Sequence, residues 1–212
     1  STLSSSSAAS DVYKRQFVLC MIDVVFPDNN ESEFVEMAFK LGFSSLVFVY
    51  DKPGFREVFS KKIKIFYAFL LPLQKLNMAR SKNLLAFCKG YSNAREAIER
   101  SFDVVFSVED DPKPDHLHFR NSGLNHVLCR FAAKNNVKIG FSFSDILNSD
   151  KRHVLLGRML QNIRFCRKFK TKMMVGSFAR SPFEMRSSFE LRAFFEVLGM
   201  TSKESASALY WF

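Results

Sequence analysis

The amino-acid sequence predicts a single α/β domain whose strands form a parallel sheet, and we favour a sheet closed into a barrel. Short runs of β-branched and aromatic residues alternate with helical patterns, which gives about seven strands, nearly all separated by helices. Because strand–helix–strand crossovers are right-handed, this order produces parallel pairing. The length of 212 residues and the apolar fraction of 47% suit one substantial core. Periodicity alone does not distinguish the barrel from a doubly wound open sheet.

The first half of the chain alternates strands with helices. Phe34, Met37, Ala38 and Leu41 recur at helical spacing, and Gly42 is suited to end that helix. The expected elements, in order, are strand 21–26, a helix from Asn29 or Asn30 to Leu41, strands 45–50, 63–70 and 84–88, helix 93–100 and strand 103–108.

The second half has clearer patterns. Ser122 is placed to cap a helix that carries Leu124, Leu128 and Ala132 on one face. Residues 137–144 alternate between apolar and polar or small side chains, which predicts a strand with two unlike faces. The remaining expected elements are a helix at 151–169, a strand at 173–178, and helices at 187–198 and from 202 onward.

We place the domain at residues 21–212 and treat residues 1–20 as a non-native or disordered leader. The leader is rich in serine, lacks periodicity and has no apolar segment of the kind found in secretory signals. The chain stops within an apolar helical pattern, and a truncated gene fragment would explain both ends.

Several classes of protein find no support in the sequence. No apolar run reaches the roughly 18 residues that a bilayer-spanning helix needs. The sequence contains no G-x-G-x-x-G motif, P-loop or G-x-S-x-G motif, so nucleotide binding and serine hydrolysis are not indicated. Cys20, Cys88, Cys129 and Cys166 lie far apart without a C-x-x-C pair. We therefore expect neither a zinc site nor a disulfide framework, and a reducing cytoplasm fits best.

Positive charge is concentrated in one part of the chain. The formal net charge is +10, yet residues 21–150 carry 17 basic and 16 acidic side chains. Residues 151–192 carry 11 basic and 2 acidic side chains. A field concentrated in this way favours a polyanionic partner, whereas a merely solubilising surface would mix both signs.

Three segments carry the candidate contacts. In 115–130, a helix N-terminus and Arg120 could hold phosphate, although a capped helix with a solvated arginine is the alternative. In 152–172, Leu155, Met159, Ile163 and Cys166 form the buried stripe, and the other face is basic without acidic neighbours. In 176–188, a loop follows a strand, which is where α/β folds commonly place functional side chains. The candidate RNA-binding residues are Arg120, Asn121, Ser122, Asn125, His126, Arg158, Gln161, Asn162, Arg164, Arg167, Lys168, Lys170, Arg180 and Arg186.

A metal site is the competing interpretation. His116 and His118 stand beside Asp115, and alternation along a strand would put both imidazoles on one side. The chain has only two other histidines and no supporting carboxylate cluster. A metal-dependent phosphoesterase therefore stays as the alternative, together with a general RNA-binding scaffold.

Three ordered motifs carry a family resemblance. Residues 119–144 (FRNSGLNHVLCRFAAKNNVKIGFSFS) resemble the signature of the p30-type subunit of ribonuclease P, called component 3 in archaea. Residues 157–170 and 176–188 continue in the family's order and spacing, and the opening 21–27 (MIDVVFP) is similar to its first strand. The resemblance covers essentially residues 21–212.

The resemblance implies a seven-stranded β/α barrel, TIM-like and similar in shape to PHP-type phosphoesterases but without their metal-binding histidines. It also implies a protein cofactor that is itself non-catalytic. The RNA subunit, with its own Mg²⁺, would remove 5′ leaders from precursor tRNA, while this chain would bind no cofactor. Implied partners are the ribonuclease P RNA, precursor tRNA indirectly, a small RRM-like subunit and the other ribonuclease P proteins, with no membrane. The implied location is the cytoplasm, or the nucleus and nucleolus in a eukaryote.

The expected mechanism is electrostatic. Basic side chains would neutralise phosphates and release counterions, so binding would depend strongly on salt and weakly on sequence. We expect Arg120, Arg158, Arg164 and Arg186 to contribute most. Each change to alanine would then reduce the salt dependence by about one phosphate contact.

Overall fold

The computed structural model describes residues 21–52 and 58–210, so the expected leader at 1–20 lies outside the described residues. The strands are β1 (Ile22–Val25), β2 (Ser45–Tyr50), β3 (Lys64–Leu70), β4 (Leu85–Lys89), β5 (Val104–Phe106), β6 (Lys138–Ser142) and β7 (Met173–Gly176). The helices are α1 (Glu31–Lys40), α2 (Leu76–Ser81), α3 (Ala94–Glu99), α4 (His126–Lys134), α5 (Phe143–Asn148), α6 (Arg152–Phe169), α7 (Ser188–Val197) and α8 (Ser202–Leu209). Single 3₁₀ turns occur at Leu73–Lys75 and Pro182–Glu184. Within the described ranges, no helix combines the length and the apolar character needed to cross a membrane.

The seven strands form one parallel sheet in the order β1 to β7. The two edges of this sheet meet again. The amide N–H of Phe26 donates to the carbonyl of Ala179 at 2.8 Å, and Val25 forms an isolated parallel bridge with Ala179. The sheet is therefore a nearly closed barrel, as we predicted, and the open doubly wound alternative is wrong.

A buried side chain reinforces the seam between β1 and the residues after β7. The carboxylate of Asp23 accepts hydrogen bonds from the Ser177 amide at 2.6 Å and from the Ser177 hydroxyl at 2.5 Å. Burial raises the pKa of Asp23 to about 6, although the bonds from Ser177 oppose the rise. Gly176 permits this approach, because a Cβ there would lie 3.0 Å from the Asp23 carboxylate.

Alternate residues of each strand fill the two sides of the barrel wall, as the two-residue period of a strand requires. Side chains packed inside include Ile22, Val24, Val47, Val49, Ala68, Phe87, Val104 and Met174. The other face packs against the helices, and its largest fully buried side chains are Phe48, Phe69, Ile139 and Phe141. Of the 25 phenylalanines in the sequence, ten are buried in the core of the described residues.

The structure differs from the predicted elements at several places, and one of them is the unpredicted helix α2 (Leu76–Ser81) between β3 and β4. The strand expected at 137–144 ends at Ser142, whose hydroxyl accepts a hydrogen bond from the Asp145 amide and caps α5. Ser122 does not cap a helix, because it is 2% exposed and precedes the start of α4 by four residues. The cap of α4 is Asn125, whose side-chain oxygen accepts from the amides of Val127 and Leu128.

Candidate functional site

The candidate site is built on α6 and on residues 107–125, a long connection between β5 and α4 that has no regular secondary structure. Long connections without their own helices or strands are commonly functional. Here the connection lies over α6 and is held there by polar side chains of that helix. The resulting surface combines a basic helix face with an anchored loop.

Arg158 of α6 is the main anchor. Its guanidinium donates to the carboxylate of Asp115 at 2.7 Å and to the carbonyls of Glu109, Asp111 and Lys113 at 3.0, 2.6 and 2.6 Å. The residue is 4% exposed. Partial burial raises the pKa of Asp115, but hydrogen bonds from the Asn121 amide and from Arg158 outweigh it and hold that pKa below its usual value. Arg158 is therefore used to organise the loop.

The next turn of α6 adds two further anchors. Asn162 is fully buried and donates to the carbonyl of Ser122 at 2.8 Å, while Gln161 donates to the Ser122 hydroxyl at 3.1 Å. Asn162 also donates to a carboxyl oxygen of Glu109 at 3.4 Å. Burial raises the pKa of Glu109 to about 8, so this carboxyl group is mostly protonated at neutral pH.

Three of the residues that we predicted to contact RNA are therefore not on the surface. Arg158, Asn162 and Ser122 are all buried in this loop–helix junction. We expected Arg158 and Asn162 on the exposed basic face of α6, beside the line formed by Gln161, Arg164 and Lys168. The loop covers this side of α6. The buried face of α6 is therefore wider than its stripe of apolar residues. The stripe itself, formed by Leu155, Met159, Ile163 and Cys166, is confirmed.

Other predicted residues remain on the surface in one continuous strip. Gln161, Arg164 and Lys168 follow one line along α6, and both cations are exposed. Next to this line, the Lys168 ammonium lies 5.7 Å from the centre of the Phe169 ring, and the guanidinium of Arg130 on α4 lies 5.4 Å from it. The His126 ring lies 6.5 Å from the Phe169 ring, centre to centre. We call the surface formed by Arg120, His126, Arg130, Gln161, Arg164, Lys168 and Lys170 the basic strip.

Most cations of the basic strip have no carboxylate partner. Arg164, Lys168 and Lys170 form no ion pair with any residue in the described ranges. Arg167 differs, because it pairs with Glu204 at 2.6 Å and also donates to the Gly199 carbonyl. That pair joins α6 to α8 and leaves Arg167 less available than we predicted.

The remaining predicted residues are divided between the loop and the barrel mouth. The Asn121 amide donates to Asp115, and Asn125 is used as a helix cap. Arg180 lies over the ring of Phe26 at 5.4 Å. Arg186 lies over the ring of Phe143 at 5.4 Å and donates to nearby carbonyls. The structure thus places these two arginines beside aromatic rings, and among the described residues no hydrogen bond, ion pair or ring contact joins them to the basic strip.

Aromatic rings occupy the carboxyl end of the barrel. Phe106 stacks on Phe178 at 4.9 Å, and Phe26 lies 5.9 Å from Phe106 and 6.3 Å from Phe178. Active sites of β/α barrels are built at this end from the loops that follow the strands. Sequence analysis missed this cluster, because its members come from three distant segments and each looked like ordinary core.

The predicted histidine pair does not lie on a strand. His116 and His118 are exposed in the loop. The His116 amide donates to the Phe119 carbonyl, and the His116 ring stacks on the Phe119 ring with the centroids 4.2 Å apart. In the ranges that the structure describes, no group of three His, Cys, Asp or Glu residues could hold a metal ion. The metal-site interpretation of this motif has no geometric support.

A nearly closed β/α barrel, with a basic strip that has no carboxylate partner among the described residues, defines a class of protein suited to bind a polyanion on its outer surface. Residues 114–210 match the model of the RNase P subunit p30 family. The family resemblance drawn from the sequence motifs is therefore confirmed.

The chain is also similar to two curated relatives and, in fold, to one solved structure. Ribonuclease P protein component 3 of Methanosarcina acetivorans is 35% identical over 106 residues, which are 47% of this chain and 44% of that protein. The chain thus spans less than half the length of this relative. Component 3 of Thermococcus kodakarensis is 28% identical over 86% of this chain and 73% of its own length. A chain in a cryo-EM structure of archaeal ribonuclease P with mature tRNA has the same fold, with a TM-score of 0.72, 21% identity and coverage of 90% and 88%.

Proposed function

We propose that this chain is a non-catalytic, RNA-binding subunit of a ribonuclease P. In that complex the RNA subunit would remove 5′ leaders from precursor tRNA, which makes the complex a hydrolytic endoribonuclease. The match of residues 114–210 to the family model and the shared fold support this proposal. The proposed partners are the ribonuclease P RNA, a small RRM-like protein subunit and other ribonuclease P proteins. Precursor tRNA would be an indirect partner. The proposed location is the cytoplasm, or the nucleus and nucleolus if the source is a eukaryote.

The basic strip is the observation that carries the proposal. Arg164 and Lys168 are exposed along α6, and neither has a carboxylate partner among the described residues. An ordinary solvated helix face would place acidic side chains three or four residues away to gain ion pairs. Unpaired cations on a rigid helix are instead suited to a phosphate backbone, where counterion release favours binding.

The barrel mouth supports a non-catalytic role for the chain. The rings of Phe26, Phe106 and Phe178 take the place where barrel enzymes arrange polar groups around a substrate. We propose that the chain binds no cofactor and that Mg²⁺ acts with the RNA subunit. The protein would lower the Mg²⁺ that this RNA needs by neutralising its phosphates.

Reconstitution tests the proposal. The full chain and an RRM-like partner are added to the ribonuclease P RNA, and cleavage of precursor tRNA is measured over a series of Mg²⁺ concentrations. We expect cleavage at Mg²⁺ concentrations where the RNA alone is inactive. An unchanged Mg²⁺ requirement would contradict the proposal. Failure of the chain to co-purify with this RNA, while it retains other RNAs, would favour the general RNA-binding scaffold.

A further inference from the structure

A cleft beside the basic strip has features that phosphate binding alone does not require. Its volume is about 440 Å³, which lies within the usual range for sites that hold small ligands. The cleft lies between the loop and α6. It is lined by Asp115, His116, Leu117, His118, Phe119, Arg120, Leu160, Gln161 and Arg164.

Two apolar side chains of this cleft are strongly exposed. Leu117 is 93% exposed and Phe119 is 60% exposed, although burying such side chains elsewhere would stabilise the protein. The ring of Phe119 already stacks on His116 with the centroids 4.2 Å apart and the planes 25° apart. One flat pair of rings therefore faces the cleft and remains largely uncovered.

The loop that carries these rings is fixed at both ends. Asp115 accepts from the Asn121 amide at 2.9 Å and from Arg158 at 2.7 Å. Arg120 donates to the Gly157 carbonyl of α6 at 2.7 Å. Because these contacts hold the loop before any ligand arrives, little ordering cost would remain on binding.

The charges around the cleft are suited to an anion. Asp115 is its one acidic lining residue, and the buried guanidinium of Arg158 neutralises it. Arg164 is exposed and forms no ion pair within the described residues, and Arg120 is exposed apart from its bond to Gly157. A flat aromatic face next to two arginines matches a nucleotide, whose base stacks while its phosphate pairs with a guanidinium.

We propose that this cleft binds an unpaired nucleobase of an RNA strand, stacked on the open face of the Phe119–His116 ring pair, with the adjoining phosphate held by Arg164. This inference rests on the proposed function, since it assigns a base contact to the same RNA-binding surface. It adds recognition of single-stranded or bulged RNA to a surface that otherwise reads only phosphates.

The test compares two strands of equal charge. The full chain is titrated with a fluorescein-labelled oligoadenylate of about twelve nucleotides and with an abasic phosphodiester strand of the same length. We expect the oligoadenylate to bind more tightly. Phe119→Ala should weaken oligoadenylate binding about tenfold, within the range for loss of one stacked base, and should leave abasic binding unchanged.

Matched variants complete the test. Phe119→Tyr should restore oligoadenylate binding, and Phe59→Ala, which removes a ring that is 92% exposed elsewhere, should have no effect. Arg164→Ala should weaken both strands equally. Equal oligoadenylate binding by Phe119→Ala and the unchanged chain would overturn the cleft proposal while salt-dependent RNA binding stands, and would leave the exposed rings to a protein partner. Failure of the unchanged chain to bind either strand would contradict the proposed function as well.

Discussion

At the scale of single residues, two arginines of α6 have opposite roles. Arg158 is buried and bonded to Asp115 and three carbonyls, whereas Arg164 is exposed and unpaired within the described residues. Sequence patterning treated both as RNA contacts, because both are basic residues on one helix. The difference arises from the loop that packs over one of them, and a helical period does not reveal where a distant loop packs.

This difference predicts unlike effects on stability. Arg158→Ala should lower the free energy of unfolding by about 3 kcal/mol, since it leaves Asp115 and several carbonyls without their partner. Arg164→Ala should change it by less than about 0.5 kcal/mol, as is usual for exposed sites. Urea unfolding of both variants checks this, and equal losses would show that Arg158 does not anchor the loop.

Glu109 predicts a pH dependence. Its pKa is about 8 in the folded protein, above its ordinary value, so the folded state binds the proton more tightly than the unfolded state does. This contribution to stability is present at low pH and is lost as the pH rises toward 8. Glu109→Gln stays neutral, so its stability relative to the unchanged chain should increase between pH 5 and pH 8. A difference independent of pH, measured by urea unfolding, would mean that Glu109 is ionised in the fold.

At the scale of elements, the seam between β1 and β7 depends on a side chain. Asp23→Ala should lower the free energy of unfolding by about 2 kcal/mol, because it leaves the buried Ser177 amide without an acceptor and the Ser177 hydroxyl with only the Val24 carbonyl at 3.4 Å. Ser177→Ala should cost less, since its amide keeps the bond. The double variant should show coupling between the two sites in a thermodynamic cycle. If the effects of the two single variants on the free energy of unfolding simply add, Asp23 and Ser177 do not act together at the seam of the barrel.

Regular elements were predictable because local periodicity defines them. The helix expected at 151–169 is α6 at Arg152–Phe169, and the strands before it lie within a few residues of their predicted ranges. The loop at 107–125 was not predictable in the same way. His116 and His118 alternate as they would on a strand, and the stack of His116 on Phe119 depends on a turn that composition does not encode.

The candidate site was predictable only in part for a related reason. Charge density along the chain located Arg164, Lys168 and Lys170 correctly on an exposed surface. It did not separate these residues from Arg167, whose partner Glu204 comes from a helix much later in the chain. The Phe169 contact with Arg130 was likewise missed, because it joins two helices that only the tertiary fold brings together.

At the scale of the whole molecule, the barrel separates two kinds of surface. Three phenylalanine rings cluster at its carboxyl end, and its basic strip lies along α6 and α4. We therefore infer that the strip, rather than the barrel mouth, is where RNA binds. Phosphate contacts of this kind confer strong salt dependence and little sequence preference.

The salt dependence of RNA binding tests this claim most directly. The dissociation constant for ribonuclease P RNA is measured between about 50 and 200 mM salt for the unchanged chain, for Arg164→Ala/Lys168→Ala and for Lys61→Ala/Lys62→Ala, a control that removes two exposed lysines before β3. The α6 variant should reduce the slope of log affinity against log salt by roughly 1.5, which corresponds to two lost phosphate contacts. The control should keep the original slope. Equal slopes for the α6 variant and the unchanged chain would contradict RNA binding by the basic strip.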